Sequence, residues 1–191
     1  MSRTTAIVVV LLACVALVHG PVVTHELLDW DDDLTIAHNR DLGSAAGLAK
    51  AWRHPQMALY IPVTYTVWGM LAAAARVGVA DPQGVSLNPA VFHLASVVVH
   101  GLCVVLVWQV VRRLTGADGP AAAGALLFAL HPVQVETVAW ASGLKDLLAA
   151  GLGLCAVLLY LLASDAAARR RFALLAVATV ALIAALLSKP S

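Results

Sequence analysis

Charge is what this sequence holds least of. Only 12% of its 191 residues are Asp, Glu, Lys or Arg, about half the share found in soluble domains. The basic residues form no cluster that points to nucleic acid, and a net charge of +1 indicates no charged polymer as partner. Cysteine is equally sparse. Cys14, Cys103 and Cys155 each sit inside an apolar run, which excludes a disulfide framework, and no Cys/His spacing matches a zinc site. No 34-residue period marks a helical repeat array. What the sequence does hold is hydrocarbon: 61% of residues are hydrophobic and the mean hydropathy is +0.88. That composition is the signature of an integral membrane protein.

The apolar runs divide the chain. Residues 4–20 follow Arg3 and end in Val18-His19-Gly20-Pro21; a cleaved signal peptide and an uncleaved first membrane helix both fit them. Residues 89–111 open with Asn88-Pro89 and close with Arg112-Arg113. Residues 120–130 stop at His131-Pro132, too few to cross a bilayer core that takes about 20. The span is therefore drawn on to 138, with a break at Pro132. Residues 144–163 and 172–187 flank Asp165 and Arg169-Arg170-Arg171. The segment 57–80 is broken by Pro62 and carries Tyr60, Thr64, Tyr65, Thr66 and Trp68, a composition suited to the interface. If 57–80 does not cross, Arg3, Arg112-Arg113 and Arg169-Arg170-Arg171 all fall on one side, as the preference of such residues for the cytoplasm requires. The expected fold is an all-α polytopic bundle of about five membrane helices, with residues 21–88 as a long outer loop carrying interfacial helices. The N-terminus is expected in the cytoplasm and the working face outside the plasma membrane.

This topology sorts the acids. Nine of eleven fall on the outer side: Glu26, Asp29, Asp31, Asp32, Asp33, Asp41, Asp81, Glu136 and Asp146. Four carboxylates within five residues, Asp29 to Asp33, repel one another and are costly near a membrane. They read as a solvated acidic turn or as working groups. A second constellation, His131-Pro132 through Glu136 and Trp140 to Lys145-Asp146, joins two membrane helices. Glu136 and Trp140 are four apart and share a helix face, with a structural ion pair between Glu136 and Lys145 as the simpler reading. Asp146 complements the dipole at a helix start. His93 and His100 are seven apart and share one face of their helix, with His93 near the outer end.

Several separated segments together resemble one family, the multi-helix membrane glycosyltransferases of the C-type fold. The likeness is greatest to the transmembrane and tetratricopeptide-repeat-containing O-mannosyltransferases and their bacterial relatives. Trp30-Asp31-Asp32-Asp33 with Asn39 is similar to that family's first-loop Asp-Asp…Asn motif. Tyr60-Ile61-Pro62-Val63-Thr64-Tyr65 resembles its Tyr-Arg-Pro-Leu-Thr segment, with Ile61 where arginine is common. Asn88-Pro89…Phe92-His93…His100 resembles the start of its second helix, with Ser96 where asparagine is common. His131-Pro132…Glu136…Trp140…Lys145-Asp146 resembles its third-to-fourth helix connector, and Ser188-Lys189-Pro190 the end of its next helix. Members have many more membrane helices, so the chain looks like the N-terminal part of such a domain.

The resemblance implies transfer of a mannose-like sugar, with inversion, from a polyprenyl-phosphate lipid to an acceptor hydroxyl of a protein or glycan. Such chemistry needs a carboxylate base and positive charge on the departing phosphate, from a basic group or a divalent cation. Asp31 and Asp32 are the expected base pair. Arg53, His93, His131 and Lys145 are candidates for the lipid phosphate, with Glu136 and Asp146 completing the substrate-binding set. The rival expectation is a non-catalytic membrane protein: a cation-binding transporter piece, a scaffold, or an inactive fragment.

Overall fold

A computed structural model describes residues 2–80 and 84–189. Asp81, counted above among the outer acids, and Pro190 of the Lys-Pro pair lie outside the described residues. Helix α1 (Arg3–His19) starts where the Ser2 hydroxyl accepts from the Thr5 N–H at 3.1 Å, and runs on into a tighter 3-10 stretch at Pro21. Ser44 caps the short α2 (Ala45–Ala51) in the same way. Pro62 opens α3 (Pro62–Ala75), and Pro89 opens α4 (Pro89–Thr115) behind an Asn88 cap. Proline suits that first position, where its missing N–H would have no partner anyway. Gly116, at φ 68°, ends α4 in the left-handed conformation that glycine takes without strain. Then follow α5 (Asp118–Leu130), α6 (Gln134–Ala139), α7 (Leu144–Ser164) and α8 (Ala168–Leu186). No strand occurs among the described residues, so the all-α expectation holds.

Ion pairs fix which helix ends lie together. At one end, Asp118 at the start of α5 meets Arg112 (2.7 Å) and Arg3 (3.7 Å), and Arg113 pairs with Asp165. The starts of α1, α5 and α8 and the ends of α4 and α7 therefore share an arginine-rich end. At the opposite end, Lys145 meets Asp31 and Lys189 meets Asp146. Helix α3 belongs to this second end: the Val63 N–H donates to Leu187 O, and Thr64 Oγ1 to Ser188 O at 2.8 Å. The first turn of α3 thus packs beside the end of α8.

Two apolar clusters follow from this arrangement. Within the bundle, Leu11, Val15, Val104, Trp108, Ala121 and Ala125 pack α1, α4 and α5 together. At the acidic end, Trp68 and Tyr65 of α3 gather Ile36, Phe92, Val138, Leu144 and Leu147 around them, with the two aromatic rings edge to face at 5.3 Å. This second cluster is what holds the segments before α4 on the starts of α4 and α7.

Among the described residues three stretches are long and apolar enough to cross a membrane: Arg3–Thr24, Pro89–Thr115 and Leu144–Ser164. Five were expected. The 13 residues of α5 rise only about 20 Å against a hydrocarbon core of about 30 Å. The break at His131-Pro132 stands where the sequence placed it, and α6 is a separate helix beyond it. In α8 the arginines occupy the first turn, which shortens its apolar part.

Candidate functional site

The acidic stretch is a compact turn. One turn of π-helix spans Asp33–Ala37. Thr35 Oγ1 donates to Asp31 O, and Asn39 holds the turn from both sides, Nδ2 donating to Thr35 O and Oδ1 accepting from the Asp41 N–H. His38 Nδ1 lies 2.5 Å from Asp33 Oδ1. Trp30 projects outward, 72% exposed.

This turn gives its aspartates different surroundings. Asp32 is fully buried. Its Oδ1 accepts from the Ser142 N–H at 2.8 Å, and its Oδ2 from Ala141 (3.2 Å) and Leu28 (3.3 Å). A buried charge must be paired or hydrogen-bonded, and three N–H donors meet that demand. Asp32 so ties the segment after α1 to the turn between α6 and α7. Asp31, one residue earlier, is about half exposed and faces Lys145 Nζ at 3.6 Å. One residue on, Asp146 pairs with Lys189. Two acid–base pairs thus stand side by side at the start of α7.

The other candidates separate. His93 is fully buried, its Nε2 donating to Glu26 O at 3.3 Å and its Nδ1 without a partner; its ring lies 6.4 Å from that of His25. It anchors the segment after α1 beneath the aspartates. His131 is exposed, and its Nδ1 accepts from the Val133 N–H to close the turn after α5. Glu136 is exposed on α6, and the ammonium near Asp31 is the one the sequence had offered as its partner. Arg53 is exposed just beyond α2 and is a member of neither ion pair. Lys189 was absent from the expected site. Its motif was visible, but only the return of α8 along α7 brings it to Asp146. Among the described residues no three His, Cys, Asp or Glu side chains converge as a metal site. A cavity of about 260 Å³ opens beside the acidic turn, between Asn39, Asp41, Ser44 and Gln56 on one wall and Tyr65 and Thr66 of α3 on the other.

Fold and site together define an all-α integral membrane protein whose helices present paired carboxylate and ammonium groups at one end. Over 75 residues the chain is 41% identical to Protein O-mannosyl-transferase TMTC1 of Mus musculus, a match that covers 39% of this chain and 8% of the mouse protein. No protein-family model matches the chain. No solved structure matches it either.

Proposed function

We propose that this chain carries the reacting end of a membrane glycosyltransferase, one that moves a mannose-like sugar from a polyprenyl-phosphate lipid to an acceptor hydroxyl of a protein or glycan on the outer face of the plasma membrane. The observation that supports this most is the Asp31–Lys145 pair, with Asp146–Lys189 beside it. Asp31 takes the proton of the acceptor hydroxyl. The acceptor oxygen bonds to the anomeric carbon as that carbon's bond to the phosphate oxygen breaks. The electron pair leaves on the lipid phosphate, and Lys145 and Lys189 balance its charge. Asp32 positions this set and does not itself touch substrate. The cavity beside Asn39 is a bay for the acceptor. Asp31 and Asp146 each face an ammonium group, and on this reading the lysines, in place of a divalent cation, supply the positive charge. The same pairing weighs against a cation-binding transporter piece.

The test is transfer of labelled mannose from polyprenyl-phosphate mannose to a serine- and threonine-containing peptide by the chain in liposomes. Transfer by the wild type, lost in Asp31→Asn and Lys145→Gln with folding intact, is the expected result. No transfer by the wild type, or full transfer by Asp31→Asn, overturns the reading.

A further inference from the structure

The groove between α1 and α5 lies toward the end of the bundle opposite the aspartates. Ala6, Ile7 and Val10 form one wall and Ala122, Ala123 and Leu126 the other, around a cavity of about 300 Å³. On each helix the residues recur at i, i+1 and i+4, so each wall is one continuous strip. Every side chain is hydrocarbon. Water gains nothing in a cavity without polar partners, and α1 is apolar enough to lie within the membrane. The bilayer supplies an occupant directly, an acyl chain.

Charge at the mouth narrows the choice. One turn below the groove, the single carboxylate of Asp118 faces two guanidinium groups, Arg112 at 2.7 Å and Arg3 at 3.7 Å. One positive charge is left over. The Arg3 side chain is 78% exposed and held only at the longer distance, so it is free to turn to another anion. Arg113 is occupied by Asp165. Basic groups at the membrane surface beside an interhelical groove suit an anionic headgroup. A second copy of the chain would fill the apolar walls but would gain nothing from the surplus arginine.

We propose that the α1/α5 groove with Arg3 is a binding site for an anionic phospholipid of the leaflet on the arginine-rich side. One acyl chain lies between the two helices, and the phosphate sits on Arg3. The test is native mass spectrometry of the chain released from detergent micelles holding equal amounts of phosphatidylglycerol and phosphatidylcholine. The wild type is expected to retain phosphatidylglycerol at least three-fold over phosphatidylcholine. Arg3→Gln removes that preference. Val10→Phe, which adds bulk at a position already 57% exposed, lowers retention of both lipids at least three-fold, and Ala123→Leu repeats the effect from the opposite wall. Equal retention of the two lipids by the wild type overturns the proposal. So does unchanged retention in both wall variants, or a dimer peak that the wall variants abolish, which would give the groove to a second copy.

Discussion

Asp31 and Asp32 are neighbours in the chain and opposites in environment. The buried Asp32 carboxylate accepts three backbone hydrogen bonds that join Leu28 to Ala141 and Ser142. Hydrogen bonds to a charged group contribute about 1.5–3 kcal/mol each, and donors left unsatisfied add a further cost. Asp32→Ala is therefore expected to lower stability by about 3 kcal/mol or more, read from denaturant titration in micelles by circular dichroism. Asp31→Asn, at a half-exposed position with one long ion pair, is expected to stay within about 0.5 kcal/mol of wild type. Equal stability of Asp32→Ala and wild type would remove Asp32 from the scaffold. None of this could be read from the run of carboxylates itself, because, Leu28 apart, the groups that separate the two residues lie more than a hundred positions away. The sequence could show that an acidic turn belongs at this end. It could not show which acid faces inward, nor that Lys189 reaches Asp146. Asn39, part of the motif, proves to hold the turn's backbone.

At the scale of elements, the end of α5 shows how a short helix is kept in place. Pro132 has no N–H to offer the last turn, so the carbonyls there need other donors. Ala129 O receives His19 Nε2 from α1 at 3.1 Å and His100 Nε2 from α4 at 3.3 Å, with the two rings 4.9 Å apart. Two histidines from two long helices thus clasp one carbonyl of a third. His19→Leu and His100→Leu are each expected to cost little more than their own packing, since one donor remains. The double variant leaves the carbonyl bare and is expected to cost about 1 kcal/mol more than the sum. Strict additivity in the double-variant cycle would mean the carbonyl does not need either ring. The stop at Pro132 was legible because proline punctuates any helix. The clasp was not, since a histidine pair seven apart on α4 says nothing about a third histidine on α1. Where α4 and α7 cross, a Cβ on Gly151 would come within 3.2 Å of Cys103 Sγ. Gly151→Val is expected to push the two helices apart and to lower stability by about 1–3 kcal/mol, the range for overpacking, in the same titration.

For the whole molecule the question is which end faces the cytoplasm. Six arginines gather at one end: Arg3, Arg112, Arg113 and Arg169 to Arg171. The other end also holds six basic residues, so a bare count decides nothing. Four of those, Arg40, Lys50, Arg53 and Arg76, lie in the long segment before α4, and long loops weigh little in orienting a membrane protein. Only Lys145 and Lys189 remain beside helix ends there, and each faces an aspartate. The arginine-rich end is thus the one expected inside. This ordering is the one the sequence predicts when 57–80 does not cross, because α4 and α7 then both end at arginine groups. The structure adds the contacts of α3: its first turn is bonded to the end of α8 and its aromatic face packs on the starts of α4 and α7. Single cysteines at Trp30, Glu136 and Arg170, placed in a chain with Cys14, Cys103 and Cys155 replaced, distinguish the two orientations. Trp30→Cys and Glu136→Cys are expected to react with a membrane-impermeant maleimide in intact cells. Arg170→Cys is expected to react only after permeabilisation. Were α3 to cross, Trp30→Cys and Glu136→Cys would fall on opposite sides of the membrane, so their shared reactivity tests the position of α3 and the orientation of the bundle together.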